Sequence, residues 1–212
     1  MSRIGIIGGT FNPIHNGHIQ IAQAAYKQYQ LDEILFMPNH IPAYKNTGSI
    51  LPGFIRLQMV QLATEEYPGF YASDYELKRE GITYTYETLR QLKKDHPNDS
   101  FFFIMGADSL FQFTTWKYPE KILLYTDILV ACRDGNDDFA IAAKIEELNT
   151  FYRANAFHII QIQKINCSSH EIRKALSKQT DPDLCMEQQA KALQLPIKVL
   201  QYIKSNHLYQ RN

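Results

Sequence analysis

Two histidines three residues apart, His15 and His18, follow a glycine pair in the segment Gly8-Gly9-Thr10-Phe11-Asn12-Pro13-Ile14-His15-Asn16-Gly17-His18. Glycines at the end of a short apolar run let backbone N–H groups approach an anion closely. A helix that starts directly afterwards turns its positive end to the same place. At this spacing both histidines can face one side of a helical start and neutralise charge that builds on a phosphoryl group. The pair also fits a metal site or a structural cap, although zinc would lack a third ligand nearby in sequence. The segment is not a Walker A loop, since no Gly-Lys-Ser/Thr follows, and not a Gly-x-Gly-x-x-Gly turn, since its glycines fall at 5, 8, 9 and 17. The glycine turn ahead of the histidines favours a phosphate site, with Gly8, Gly9, Thr10 and Phe11 as its backbone.

The elements that must hold this segment are legible around it. Arg3 to Ile7 predicts a short buried strand, and Ile19, Ile21, Ala22, Ala25 and Tyr26 form a helical stripe running to about Gln30. The alternation continues with a strand at 33–37, a helix at 54–66, a strand at 70–75 and a helix at 84–95. A strand at 100–105, short helices near 110–113 and 118–124, a strand at 127–131, a helix at 139–151 and a strand at 157–162 follow. Strands alternating with helices imply an α/β fold: a Rossmann-like, doubly wound, mostly parallel sheet with helices on both faces. Helices at 169–176 and 197–204 add a small C-terminal helical part, separated by a polar stretch from Lys178 to Gln189 of unassigned structure. No repeat or linker splits the chain, so residues 1–212 are expected to form one domain.

Composition narrows the function. The 22 basic and 22 acidic residues cancel, so no global positive field favours nucleic acid, and a small anionic ligand fits better. Cys132, Cys167 and Cys185 are widely spaced and form no Cys-x-x-Cys pair, which fits a reducing cytoplasm. The apolar run Ile4 to Ile7 is too short for a signal-peptide core, and no run approaches the length of a membrane span. Oligomeric state is left open, a homo-oligomer included.

The opening segment resembles the GGTFDPIHxGH signature of the nicotinate mononucleotide adenylyltransferases, within the wider T/HxGH nucleotidyltransferase superfamily. Asn12 stands where the signature has aspartate. The resemblance runs along nearly the whole chain. Residues Phe36 to Lys45 are similar to the family's loop after the second strand, which ends Pro-His-Lys; Lys45 keeps the cation and Tyr44 replaces the histidine. Glu76, Arg79, Gly81 and the run Thr83 to Leu89 resemble the ExxRxGxSYTxxTL segment, which implies that Thr85 helps hold a nicotinate carboxylate; a threonine opening a helix is also an N-cap. Gly106-Ala107-Asp108 resembles the GAD that approaches a nucleotide ribose, and Asp108 suits a helix cap equally well. Trp116 and Tyr118 lie where relatives stack an aromatic on the pyridine ring, with core packing the alternative for the tryptophan.

Cys167-Ser168-Ser169-His170-Glu171-Ile172-Arg173 resembles the ISSTxIR motif, departing from it at Cys167 and His170. The match implies that Ser168, Ser169 and Arg173 act on ATP phosphates, where a planar guanidinium is well suited; Ser-Ser before a helix is also a capping signal. Leu195 to Ile203 with Leu208-Tyr209 resembles a closing structural segment.

The activity this implies is transfer of AMP from ATP to nicotinate mononucleotide, giving nicotinate adenine dinucleotide and pyrophosphate for NAD biosynthesis. His15, His18, Lys45 and Arg173 would offset the developing charge, and Mg²⁺ would be carried with the ATP phosphates. Lys45 in a polar loop also fits a solvated surface lysine. Sister transferases for phosphopantetheine or nicotinamide mononucleotide share the opening motif, but Thr83 to Leu89 and Trp116 favour the nicotinate substrate. A non-catalytic nucleotide sensor would have lost phosphate contacts, whereas His15, His18 and Arg173 are all present.

Overall fold

The computed structural model describes residues 1–40, 50–133, 138–163, 167–178 and 184–210. Its strands are apolar on both sides with a period of two. In β1 (Arg3–Gly9), Ile4 and Ile6 enter one core and Ile7 the other. In β4 (Ser100–Gly106) and β5 (Thr126–Arg133), Phe101, Phe103, Ile128 and Val130 join the core of Ile4, while Phe102, Ile104, Leu129 and Ala131 join that of Ile7. Such strands must be covered on both faces. With β2 (Glu33–Pro38), β3 (Phe70–Ala72) and β6 (Phe157–Ile162) they pair in parallel, in the order β3-β2-β1-β4-β5-β6.

Helices α1 (Asn16–Gln28) and α2 (Gly53–Thr64) cover the Ile7 face through residues such as Ala22, Ala25, Met59 and Val60. Helices α3 (Thr85–Asp95) and α6 (Asp138–Tyr152) cover the other with Leu89, Leu92, Ile141 and Leu148. The short α4 (Ala107–Phe111), the 3₁₀ turn Phe113–Thr115 and α5 (Pro119–Ile122) add Leu110, Phe113 and Ile122 to that second face. The C-terminal helices α7 (Ser169–Leu176), α8 (Met186–Ala192) and α9 (Ile197–Ser205) return to the first. The doubly wound sheet with a helical C-terminal part is therefore what forms. Among the described residues no helix is long and apolar enough to cross a membrane.

Differences from the sequence expectation have local causes. β1 runs on to Gly9 because Gly8 and Gly9 keep pairing with Met37 and Pro38. β3 stops at Ala72, where Ser73 caps Tyr75 N–H with its hydroxyl and the chain turns, Lys78 N–H reaching Asp74 O. Within the polar stretch, α8 forms on a narrow buried side consisting of Gln189 and Ala190, and Gln189 satisfies its amide on Leu184 O at 2.6 Å. Residues 179–183 of that stretch lie outside the described residues.

The strand order reverses between β1 and β4, so their following helices leave on opposite faces and a crevice opens beyond the strand ends. Close packing beneath the crevice depends on Gly5: a Cβ there would sit 2.9 Å from Leu31 Cδ1 and 3.1 Å from Ile104 Cδ1. Gly5→Val should destabilise the fold by about 1–3 kcal/mol through overpacking. The check is a lower urea midpoint at unchanged slope, and a wild-type midpoint would contradict the packing account.

Candidate active site

The crevice is a cleft of about 910 Å³ lined by the carboxyl ends of β1 and β4 and by segments from across the chain. Gly8 and Gly9 form its floor on one side and Gly106 on the other, where a Cβ would meet nothing within 4 Å. Backbone is thus bare toward the ligand space.

After β1 the chain turns tightly: Phe11 takes φ 47° and tucks its ring under Gly9, and the Asn12–Pro13 peptide is cis. His15 is the N-cap of α1, and its N–H donates to His18 Nδ1 at 3.2 Å. An Nδ1 that accepts must be unprotonated, so His18 carries its hydrogen on Nε2 and is a donor there. The two imidazoles stack with centroids 3.7 Å apart, and Phe11 meets His18 edge-on at 5.1 Å. Gly17 makes this stack possible, because a Cβ there would lie 3.1 Å from His15 Nδ1 and 3.4 Å from Cys167 Cβ. The H-x-G-H spacing is therefore a capping pair and a site pair at once.

Two distant segments clamp this turn. Ser169 Oγ donates to Pro13 O at 2.9 Å, and Arg173 Nη1 donates to Asn12 O at 2.7 Å and to Ser169 O at 3.1 Å. Ser168 caps α7 by accepting from His170 N–H at 3.2 Å. Among the described residues the hydrogen bonds of Arg173 run from Nη1, which leaves its Nε and Nη2 as a fork suited to a phosphate.

The second clamp was not foreseen from the sequence. Arg56, on α2, is 1% exposed. Its Nε donates to Leu51 O at 2.8 Å, Nη1 to Thr10 O at 2.7 Å, and Nη2 to Asn39 O at 2.7 Å and His40 O at 3.3 Å. Burial pulls its pKa down, with the nearby Tyr209 phenol pulling it back up. Tyr209 in turn donates to Asn12 Oδ1 at 2.8 Å, an atom that also accepts from Leu51 N–H at 3.3 Å. Burial drives the Tyr209 hydroxyl well above the ordinary phenol range, so it stays a donor. Asn12 thus holds the turn through its side-chain oxygen. The signal for Arg56 was a lone cation inside the apolar helix Gly53-Phe54-Ile55-Arg56-Leu57.

The cleft wall also includes Glu76, Thr83, Tyr84, Thr85, Trp116 and Lys117. Glu76 accepts from Thr88 Oγ1 at 2.7 Å and Thr83 Oγ1 at 3.0 Å. Burial raises its pKa, against these hydroxyls and the charge of Arg79, which lower it. Arg79 continues the network to Thr88 at 3.1 Å and Glu87 at 3.0 Å. Thr85 is the first residue of α3 and Tyr84 occupies the cap, so Thr85 is not the helix's N-cap. Asp108 likewise lies inside α4, capped by Gly106, and lines the cleft. Trp116 packs on Phe103 and Phe113 at 6.0 and 5.7 Å and is half-buried in the cleft wall.

Comparison with known proteins agrees with this arrangement. Residues 6–175 match the model of the cytidylyltransferase-like family. A protein of Lachnoclostridium phytofermentans named "Probable nicotinate-nucleotide adenylyltransferase" is 42% identical over 84% of this chain and 88% of its own length. One of the same name from Clostridium botulinum is 36% identical over 99% of both. The chain belongs to the cytidylyltransferase-like family. In fold it is similar to the Plasmodium falciparum nicotinic acid mononucleotide adenylyltransferase complexed with NaAD, with TM-score 0.77 at 23% identity over 99% of this chain and 98% of that one.

Of the residues picked from the family signatures, Gly8, Gly9, Thr10, Phe11, His15, His18, Thr85, Gly106, Asp108, Trp116, Ser168, Ser169 and Arg173 all line the one cleft. Tyr118 does not: it adopts φ 53° and sets its ring edge-on to Tyr86 at 5.0 Å. Lys45 and Tyr44 lie outside the described residues. Among the described residues no group of three His, Cys, Asp or Glu side chains could hold a metal ion, so the protein's donor set does not form a Mg²⁺ cage of its own.

Arg56→Lys keeps the charge and loses the fork. Stability should fall by about 2–3 kcal/mol, because carbonyls of two loops lose a donor, and turnover should fall at least about tenfold as the loops part. Tyr209→Phe removes a single bond to Asn12 and should cost about 0.5–1.5 kcal/mol. Urea unfolding together with steady-state rates tests both, and an Arg56→Lys protein as stable and active as the wild type would refute the clamp.

Proposed function

We propose that the chain transfers AMP from ATP to nicotinate mononucleotide, forming nicotinate adenine dinucleotide and releasing pyrophosphate as a step of NAD biosynthesis. The observation that carries this is the docking of the Ser168-Ser169…Arg173 segment onto the Asn12-Pro13 turn across 156 and 161 positions of sequence, at the strand-order reversal. It joins the two segments whose chemistry is phosphate binding. The names of the full-length relatives support the same substrates.

Nicotinate mononucleotide would lie with its ring near Trp116 and Thr85, and its 5′-phosphate toward the glycine turn. A phosphate oxygen attacks the α-phosphorus of ATP in line; the P–O bond to the β-phosphate breaks and its electron pair leaves on pyrophosphate. No covalent enzyme intermediate is needed, so the protein contributes alignment and charge stabilisation. His18 Nε2–H, the free edge of Arg173 and the backbone N–H groups of the turn are the donors for oxygens on the reacting phosphates. His15 completes the imidazole stack, and Lys45 would add a further cation. Gly106 and Asp108 suit an approach to ribose hydroxyls, with Asp108 the acceptor. Mg²⁺ would arrive with the ATP phosphates and neutralise the polyphosphate. The sheet and α7 contribute to this one cleft, and α8 and α9 pack into the same core as α7, which supports residues 1–212 as a single catalytic domain. The wide spacing of Cys132, Cys167 and Cys185, with no Cys-x-x-Cys pair, fits a reducing cytoplasm.

A histidine pair offers a sharp test. His18→Asn places an amide oxygen where Nδ1 accepts from His15 N–H but supplies nothing at Nε2, whereas His18→Gln can place an amide N–H near that position. Mononucleotide-dependent pyrophosphate release should fall about 100-fold or more in His18→Asn and less in His18→Gln. Equal, wild-type rates in both would remove His18 from the chemistry. Parallel kinetics with nicotinate and nicotinamide mononucleotides decide between the acid and amide substrates.

A further inference from the structure

Lys117 is a cation in the cleft wall that the family signatures do not single out. The chain turns sharply around it. Trp116 leaves the 3₁₀ turn extended at φ −70° and ψ 157°, Tyr118 is left-handed at φ 53°, and Pro119 starts α5. The Lys117 ammonium reaches over the Tyr84 ring, its Nζ 4.2 Å from that centroid and 5.8 Å from the centroid of Tyr118, whose own ring stands edge-on to Tyr86. Tyr84 is the N-cap of α3 and a wall residue of the cleft, as is Thr85 beside it. The ammonium is therefore held over an aromatic face next to the start of α3, at the α3 end of the cleft that His15, His18 and Arg173 also line.

The other charged side chain lining that end is the carboxyl of Glu76, whose two oxygens are turned onto the Thr88 and Thr83 hydroxyls. An anionic substituent entering there meets a like charge in the wall and needs a compensating cation. Lys117 is placed to supply it.

We infer that the Lys117 ammonium is a specificity-determining group that pairs with the pyridine carboxylate of nicotinate mononucleotide and weights the cleft for the acid over the amide. The inference rests on the cleft being the mononucleotide site proposed above. Both mononucleotides carry the same phosphate and ribose, so a contact to the phosphate would affect them alike, and only a contact to the carboxylate separates them. Because Lys117 is exposed at the rim, the effect belongs to the range of a partly solvated ion pair.

The test is a charge series, Lys117→Arg, Lys117→Met and Lys117→Glu, assayed by pyrophosphate release for kcat/KM with nicotinate mononucleotide and for the inhibition constant of nicotinamide mononucleotide against it. Expected for the acid is a loss of about three- to fivefold in Lys117→Met, a larger loss in Lys117→Glu and near-retention in Lys117→Arg, carried mainly by KM. The amide constant should move less than the acid in every variant. Equal losses for acid and amide, or wild-type kcat/KM for the acid in Lys117→Glu, overturn the role of Lys117. A wild-type protein that releases no pyrophosphate with either mononucleotide overturns the underlying function instead.

Discussion

The Arg56 guanidinium, shut away from solvent with only carbonyl oxygens around it, is the constraint on which the site's geometry depends. A charge costs several kcal/mol to desolvate, and it persists in the interior only where its donors are used. Arg56 uses them on Thr10 from the turn after β1, on Asn39 and His40 after β2, and on Leu51 before its own helix. Neither of the first two segments could shift by an ångström without stranding that charge. The cost of burial is thereby converted into rigidity of the two loops that bound the cleft.

The same logic explains why residues near the chain's end matter to a turn near its beginning. The Asn12-Pro13 turn exposes two carbonyls and one side-chain oxygen, and each is taken by a different partner: Arg173, Ser169 and Tyr209. A turn tied at three points from distant segments is pre-organised for charge stabilisation, since its N–H groups need not reorganise as a phosphate becomes more negative. Arg173 shows how one side chain can do both tasks: one guanidinium nitrogen fixes the turn, and the rest of the fork faces the ligand space.

Much of this was legible in the sequence where a physical rule is local. Strand Phe157–Ile162 and helix Ser169–Leu176 have the bounds their apolar period dictates, and His15, His18, Ser169 and Arg173 meet in one cleft as their motifs imply. What could not be read is set by long-range partners. Arg56 sits in an apolar helix, where a lone arginine has no local reason to be; its acceptors lie up to 46 positions away. Tyr209 passes for packing until Asn12 is brought against it, 197 positions distant. Tyr118, with Trp116, lies where relatives stack an aromatic on the pyridine ring, but a left-handed backbone, which sequence rarely betrays in a non-glycine residue, sets its ring edge-on to Tyr86. Helix α8 escaped notice because its buried side offers too few apolar residues to show a period.

The two ends of the cleft are built from different material, and the difference has a functional consequence. The phosphate end is made of backbone groups and side chains bonded to backbone, anchored in β1, α1 and α7, so its geometry follows from the fold. The proposed pyridine end is made of side chains on short elements: a 3₁₀ turn, the four-residue α5 and the first residues of α3. Substitutions there change charge and shape without disturbing the sheet, because Glu76, Thr83 and Thr88 satisfy one another and Lys117 rests on Tyr84 alone among its described ring contacts closer than 5 Å. On the proposed function, reaction type rests on parts that cannot vary without loss of the fold, whereas choice of the group on the pyridine ring rests on parts that can. A family that shares its phosphate turn across several substrates is what this division of labour would produce.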